Sequence, residues 1–292
     1  MNAVHRTTGE KLFDAANVVL LVLLAFVTLY PFYNILITSL NDPADAARGG
    51  ITFWPRVLSF ENYKMVLQDE SLINAFVVTV LRTIAGTATA VLFTAAFSYG
   101  VSKPELLGRK LFLILAIITM YFSGGLIPQY LLIAQYLHLK GSFLAYILPN
   151  LFSVFNALIM ITFFRGIPKE MEESAKVDGA HELTIFWRLV LPVSKPVLAT
   201  IALYNAVFHW NSWFDAMLYG GESLRTLQQI LMQIISSNSN VSLMASNLGM
   251  KAVTAESVKL ATMVITTLPI VFSYPFLQKY FVKGIMIGSV KG

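Results

Sequence analysis

The sequence predicts an all-α membrane protein with six transmembrane helices and both termini in the cytoplasm. Two observations predict this fold class: long apolar runs recur along the chain, and Lys and Arg residues are distributed unevenly between them. Hydrophobic residues make up 56% of the 292 residues and charged residues only 13%, about half the share of a soluble domain. Apolar segments that cross a membrane, rather than a packed soluble core, explain these proportions.

Six apolar segments are long enough to cross a bilayer core about 30 Å thick, which takes roughly 20 helical residues. The first is too long for a signal peptide and no small-residue cleavage site follows it, so we expect it to be a helix. We expect residues 1–292 to form a single transmembrane domain. The six segments lie near Ala15–Leu40, Leu72–Val101, Leu111–Ala134, Phe143–Phe164, Val193–Tyr219 and Val258–Phe281.

The positions of Lys and Arg predict the orientation, because cytoplasmic loops carry an excess of these residues. With the N-terminus in the cytoplasm, thirteen of the 21 Lys and Arg residues fall in cytoplasmic segments and seven in external ones, while Arg82 lies inside the second span. This orientation makes residues 166–192 a cytoplasmic loop and makes 41–71 and 220–257 external loops. The excess of basic residues is then explained by the orientation of the chain in the membrane and not by a nucleic-acid-binding patch.

Several kinds of catalytic chemistry find no support in the sequence. The absence of cysteine excludes disulfides, thiolate catalysis and cysteine-ligated metals. The chain has no Gly-x-x-x-x-Gly-Lys-Ser/Thr phosphate loop and no nucleophile motif such as Gly-x-Ser-x-Gly. Its four histidines lie in different segments and suggest no metal site. We therefore expect neither enzymatic activity nor a cofactor in this chain.

Residues 166–192 combine a helix start, a turn and a second amphipathic segment. Pro168 suits a first helical turn, where a missing N–H costs nothing. Three glutamates follow in "PKEMEE" and favour the positive end of a helix. Gly179 suits a helix stop. We interpret this stretch as two short helices lying against the membrane, which from composition alone is also the pattern of an ordinary interfacial loop.

The spacing within this stretch resembles the EAA loop of permease subunits from binding-protein-dependent ABC importers. That loop reads Glu-Ala-Ala, three residues, Gly, nine residues, Ile, one residue, Leu-Pro. This chain matches every spacing, with Ser for one Ala and Leu for Ile. The matching residues are Glu173, Ser174, Ala175, Gly179, Leu189, Leu191 and Pro192.

Other segments extend the resemblance over nearly the whole chain. "HWNSWFDAMLY", "ESVKLATMVITTLPIVFSYPFLQKYFVKG" and "IMIGSVKG" are similar to the carbohydrate branch of these permeases, of the maltose-permease kind, and above all to its LplC-like members. That branch includes importers of oligosaccharides from plant and algal polysaccharides, alginate among them. The resemblance implies a chain of the bacterial inner membrane.

The resemblance also implies partners. The 166–192 loop would dock into a groove on an ATPase subunit, and a second homologous permease, two ATPase subunits and an extracytoplasmic solute-binding protein would complete the transporter. ATP and Mg²⁺ would then be bound by the ATPase subunits. The external loop before the last span would contact the binding protein, and the C-terminal tail would enter the ATPase interface. The residues concerned are Ser236, Asn238, Asn240 and Ser242 in the loop, and Gly288, Ser289, Val290, Lys291 and Gly292 in the tail.

Polar residues inside the predicted spans are candidates for a translocation path, because such residues are costly in a membrane. Arg82 either faces the path, where it would meet an acidic sugar, or bonds to carbonyls of neighbouring helices. Gly86 and Ala90 form a small-xxx-small pair on its side of the helix, which predicts close helix packing there. The asparagine amides would bond sugar hydroxyls. A lone histidine such as His209 is also typical of a residue that packs between helices. Trp210 could equally belong to the belt of aromatic residues at the membrane interface. The candidates are Arg82, Ser153, Asn156, Asn205, His209 and Trp210.

The sequence thus predicts a permease subunit that forms half of the path of an ATP-driven oligosaccharide importer. Acidic oligosaccharides such as alginate fragments are favoured slightly over neutral ones, because of Arg82 and the LplC-like character. The alternative is an ion-coupled secondary transporter of a small solute. Such carriers usually need acidic residues within spans, and Asp215 is the only one in the six predicted here.

Overall fold

The computed structural model describes residues 7–46, 48–236 and 257–272, and regular structure in these ranges is helical apart from one isolated bridge between Asn41 and Leu58. The all-α prediction is therefore confirmed for the described part of the chain. The α-helices are α1 (Thr8–Ser39), α2 (Pro43–Ala46), α3 (Glu61–Gln68), α4 (Glu70–Ser102), α5 (Arg109–Tyr121), α6 (Leu126–Leu131), α7 (Leu144–Ile147), α8 (Val154–Arg165), α9 (Lys169–Val177), α10 (Glu182–Ile185), α11 (Leu191–Val193), α12 (Lys195–Asn211), α13 (Phe214–Tyr219), α14 (Leu227–Ser236) and α15 (Ser257–Phe272). Two π-helical segments, Leu132–Tyr136 and Phe186–Val190, continue α6 and α10, and the 3₁₀ segment Leu148–Asn150 continues α7.

Two of these helices, α1 and α4, are each long and apolar enough to cross a membrane. Three bent pairs bring the number of spans among the described residues to as many as five. The bends are 112° between Arg109–Tyr121 and Leu126–Tyr136, 54° between Leu144–Asn150 and Val154–Arg165, and 82° between Glu182–Val193 and Lys195–Asn211.

The predicted third and fourth spans are therefore broken rather than continuous. Gly125 at the first break has φ +88°, and at the second the Ser153 hydroxyl caps α8 by accepting the Asn156 N–H at 3.4 Å. The 82° bend separates Glu182–Val193 from α12, consistent with assigning 166–192 to a loop. The predicted sixth span continues beyond the described residues, so the count of six and the orientation stay predictions.

The described residues divide into two compact units. One comprises the residues up to Asp69 and those from Ile234 to Thr266, and the other comprises Glu70–Gln233 and the residues from Thr267 onward. In the first unit, α1 begins with a capping box between Thr7 and Glu10. Side chains on all sides of its apolar stretch remain exposed, as expected for a helix surrounded by lipid.

The second unit is built around α4. Helices α12 and α8 pack most extensively against it. Gly86 and Ala90 are both buried, so the predicted close packing of this face is confirmed. Towards its C-terminal end, Tyr99 shares an apolar core with residues of α8, the 182–193 segment and α12. This core holds the 166–192 loop on the same helices that carry the polar residues described below.

Candidate functional site

The 166–192 loop has the predicted helix, turn and second helix. Helix α9 ends at Val177, and the chain turns at Gly179, whose φ of +82° lies in the left-handed region that glycine tolerates best. The Ala180 N–H donates to the Ala175 carbonyl at 2.9 Å and closes the turn. In the described part of the chain, no further atom lies within 4 Å of a Cβ built on Gly179, so the constraint there is the backbone angle and not crowding.

The seven motif residues divide between two faces of this loop. Ala175, Leu189 and Leu191 are half-buried and pack against the shared apolar core. The other four motif residues are exposed: Glu173, Ser174, Gly179 and Pro192. One face therefore fixes the loop to the membrane helices and the other presents small and acidic groups outward.

Polar contacts fix the loop to the end of α4. The Tyr99 hydroxyl donates to Glu182 Oε2 at 2.8 Å, and Lys176 Nζ lies 2.5 Å from Glu182 Oε1. Lys103 pairs with Glu172, and its Nζ lies 4.4 Å from the centre of the Tyr99 ring. The hydrogen bond from Lys176, assisted by the one from Tyr99, lowers the pKa of Glu182, and the same pairing raises the pKa of Lys176. Sequence analysis did not identify Tyr99, Lys103 or Glu182 as anchors of the loop.

Arg82 is fully buried in an ion pair with Asp215. Its Nη1 lies 3.1 Å from Asp215 Oδ1, and its second terminal nitrogen binds Oδ2. The guanidinium carbon lies 4.5 Å from the centre of the Tyr146 ring, and Nη1 also donates to the Ser212 carbonyl at 3.4 Å. These contacts join α4 to the turn between α12 and α13. They match the packing alternative for Arg82, although its main partner is the Asp215 carboxylate rather than a backbone carbonyl, and a role in the translocation path stays an untested prediction.

A signal for this pair was present in the sequence. Arg82 and Asp215 are the opposite charges lying deepest in the predicted spans, and ionisable residues at membrane depth usually pair with one another. Span positions alone did not show that they meet, because they are 133 positions apart along the chain.

His209 and Trp210 pack against α4 instead of lining a cavity. A Cβ built on Gly86 would lie only 2.4 Å from His209 Nε2, so the imidazole fills the space that glycine leaves. Trp210 is buried and meets Phe76 edge to face, with ring centroids 6.2 Å apart. For His209 the structure supports the packing alternative over the path, whereas the buried Trp210 packs against a helix, a position that matches neither the path nor the interfacial belt expected as its alternative.

The remaining three path candidates meet at one cavity of about 440 Å³. It opens where the break before α8 faces α12, and its volume falls within the range of about 300–1,000 Å³ typical of ligand sites. Phe155 is 53% exposed and Phe208 50% exposed, so the cavity is open on one side. Its lining consists of Pro149, Asn150, Phe152, Ser153, Phe155, Asn156, Tyr204, Asn205 and Phe208.

Other expected sites lie outside the described residues. Of the four expected contacts with the binding protein, Ser236 alone is described; it is the last residue of α14 and is exposed. Among the described residues, no group of three or more His, Cys, Asp or Glu side chains has an arrangement that could hold a metal ion. The expected sites that fall outside the described ranges are Asn238, Asn240 and Ser242 in the external loop and Gly288, Ser289, Val290, Lys291 and Gly292 in the tail.

Comparison with known proteins assigns a family. A family model described as "Binding-protein-dependent transport system inner membrane component" matches residues 71–287. The chain is 39% identical to Protein LplC of Bacillus subtilis (strain 168), covering 100% of this chain and 99% of that protein. It is 35% identical to the polygalacturonan/rhamnogalacturonan transport system permease protein YtcP of the same organism, covering 97% and 99% respectively.

A solved structure is similar over almost the whole chain. It is described as the crystal structure of a bacterial ABC transporter involved in the import of the acidic polysaccharide alginate. The TM-score is 0.88 at 30% sequence identity, covering 96% of this chain and 100% of that chain.

Proposed function

The chain belongs to the family of inner-membrane components of binding-protein-dependent transport systems, and from this premise we propose that it is the permease subunit of an ATP-driven oligosaccharide importer. It would form half of the translocation path and pass the movement of an ATPase subunit to the membrane helices. Its partners would be a second homologous permease, two ATPase subunits that bind ATP and Mg²⁺, and an extracytoplasmic solute-binding protein. Loop 220–257 and the C-terminal tail would contact the binding protein and the ATPase interface.

The observation that carries this proposal is the two-sided 166–192 loop. Its exposed face offers Glu173 for a charge-assisted contact and Ser174 as a small side chain that permits close approach to a partner groove. Its other face shares the apolar core with α4, α8 and α12. A partner that moves the loop would therefore move these helices with it as a rigid body.

The substrate class is proposed from the relatives. The names of similar permeases include polygalacturonan/rhamnogalacturonan, arabinooligosaccharides, and melibiose, raffinose and stachyose. The similar solved structure is described with the acidic polysaccharide alginate. We propose an oligosaccharide, with acidic ones favoured slightly by that full-length structural similarity. Arg82 no longer supports an acidic substrate, because its guanidinium is already paired with the Asp215 carboxylate.

The ion-coupled alternative has little support in the described spans. Asp215 is the only carboxylate in the described residues of the predicted spans, and it is paired with Arg82. A carrier that couples to protons or sodium through a carboxylate needs one that is free to exchange its ion. The described residues of the predicted spans offer no such group.

The test is ATP hydrolysis by the complete complex in liposomes. The complex contains this chain, its partner permease, the ATPase subunits and the binding protein, and single oligosaccharides are added in turn. Stimulation of hydrolysis by an oligosaccharide supports the proposal. Uptake that needs an ion gradient and no ATP would establish the secondary-transporter alternative instead.

The loop is tested separately through Gly179. Because Gly179 has φ +82°, a β-branched residue is strained there, whereas asparagine tolerates this region. We expect Gly179→Val to lose oligosaccharide uptake while ATP hydrolysis continues, and Gly179→Asn to retain most of the uptake. Equal uptake by both variants and the wild type would show that this turn does not matter for coupling.

A further inference from the structure

We infer that the cavity between α8 and α12 binds the uncharged ring faces and hydroxyl groups of an oligosaccharide and does not bind carboxylates. This inference rests on the proposed function and adds which part of the substrate this chain recognises. If an acidic oligosaccharide is transported, its carboxylates are recognised by groups outside this cavity.

The first argument is the chemical composition of the cavity wall. Four of its residues are aromatic, three are asparagines, one is serine and one is proline. Aromatic rings beside a few polar groups that fix orientation are typical of small-molecule sites. The apolar C–H faces of a sugar ring can stack on the aromatic rings, and its hydroxyls can bond to the amides. Among the described residues, no Asp, Glu, Lys, Arg or His side chain lines this cavity.

The second argument is the orientation of two amides. Asn205 Nδ2 donates to the Ile201 carbonyl at 2.8 Å, and Asn150 Nδ2 donates to the Tyr146 carbonyl at 3.1 Å. Each bond fixes the plane of the amide, uses one of its two N–H donors, and leaves the second N–H and the carbonyl oxygen for a ligand. A sugar hydroxyl can use both, because it donates to the oxygen and accepts from the N–H, whereas an ionised carboxylate can only accept from the N–H. The fixed amides therefore favour hydroxyls over carboxylates.

The third argument is the location of the buried cation. A carboxylate that leaves water needs a cation or several N–H donors, or it loses much of its solvation energy. Arg82 is the cation buried in the membrane part of α4, but it is bonded to Asp215 and does not line the cavity. A carboxylate in the cavity would therefore lack a cationic partner among the lining residues.

The test compares neutral and uronate oligosaccharides of equal length in the complete reconstituted complex. The variants are Asn205→Ala and Phe155→Ala. We expect each variant to lower uptake by about two- to tenfold, the effect of one lost hydrogen bond or ring contact, and by the same factor for both substrate classes. Asn211→Ala is the matched control, because Asn211 is an exposed asparagine of α12 that bonds the carbonyl four residues earlier and does not line the cavity.

Three results would overturn the inference. A loss confined to uronate substrates would show that the cavity recognises carboxylates. Unchanged uptake of both classes would show that it is not a substrate site. Loss of the partner permease from the purified variant complexes would show that this face is a subunit interface. If no oligosaccharide stimulates even the wild-type complex, the proposed function itself fails, which is a different outcome from these three.

Discussion

Two polar regions of the second unit differ in how far their polar groups are engaged: both terminal nitrogens of Arg82 are bonded, although its buried Nε has no partner among the described residues. The Arg82 region is closed: its ion pair, the Tyr146 ring and the Ser212 carbonyl surround a fully buried guanidinium. The Asn205 region is open: it surrounds a cavity of about 440 Å³, and aromatic side chains at its edge are half exposed. Both regions involve α12 and the segments packed against it.

The comparison teaches that a charge at membrane depth is a poor guide to a path when an opposite charge is also present. Arg82 looks functional along the sequence because an isolated arginine there is costly. Its partner removes that reason. The asparagines are weaker signals in the sequence, yet they retain groups that can bind a ligand. Three substitutions test the closed Arg82 region, the packing beside it and, for contrast, a half-exposed ion pair of the 166–192 loop.

The largest effect is expected from Asp215→Ala. This variant leaves the Arg82 guanidinium buried without its carboxylate partner, which costs about 3–5 kcal/mol of unfolding free energy. Thermal unfolding of the purified complex in detergent measures the loss.

Two further variants test the cause of that loss. Arg82→Met combined with Asp215→Ala removes both charges and should recover most of the stability. Glu222→Ala breaks the exposed pair with Arg225 and should cost no more than about 1 kcal/mol. Wild-type stability of Asp215→Ala alone would contradict the closed character of the Arg82 region.

A smaller effect is expected from Gly86→Ala. The new methyl group would lie 2.4 Å from His209 Nε2, so the packed helices must shift, at a cost of about 1–3 kcal/mol. Gly100→Ala on the same helix is the matched control, because no atom of the described residues lies within 4 Å of a Cβ built there. It should be neutral or slightly stabilising. Equal unfolding temperatures for the two variants would show that His209 does not fill this space.

The smallest effect is expected from Glu182→Gln, and it should depend on pH. Lys176 lowers the pKa of Glu182 in the folded protein, so the carboxylate stabilises the fold above its unfolded pKa, and this contribution is lost as pH falls through the folded pKa. Both side chains are half exposed, so the contribution is at most about 1 kcal/mol.

Unfolding temperatures at neutral and acidic pH measure this contribution. The variant should unfold at a slightly lower temperature than the wild type at neutral pH, and at the same temperature as the wild type at acidic pH. Glu105→Gln is the control, because Glu105 is exposed in the turn between α4 and α5 and no ion pair involves it among the described residues. If the variant and the wild type differed more at acidic pH than at neutral pH, the pH dependence would have the opposite sign, and the ion pair of Glu182 with Lys176 would not be its cause.

The sequence by itself determined the fold class, the family and the form of the 166–192 loop. The length and composition of apolar segments are local properties of the sequence. The motif around Gly179 is also local, because its turn depends on the backbone angle of that one residue. The same local patterns located Ser153, Asn156 and Asn205, because amides and hydroxyls in apolar runs stand out against their neighbours.

Only the tertiary structure decided which polar residues are already bonded and which remain open. Arg82 and Asp215 are distant along the chain, and helix packing brings them together. The contacts of Tyr99 with Glu182 and of His209 with Gly86 likewise join different helices. The breaks at Gly125 and Ser153 depend on caps and turns that apolar length does not reveal. Hydropathy reports the cost of placing a residue in the membrane, whereas the packing of helices determines what compensates for that cost.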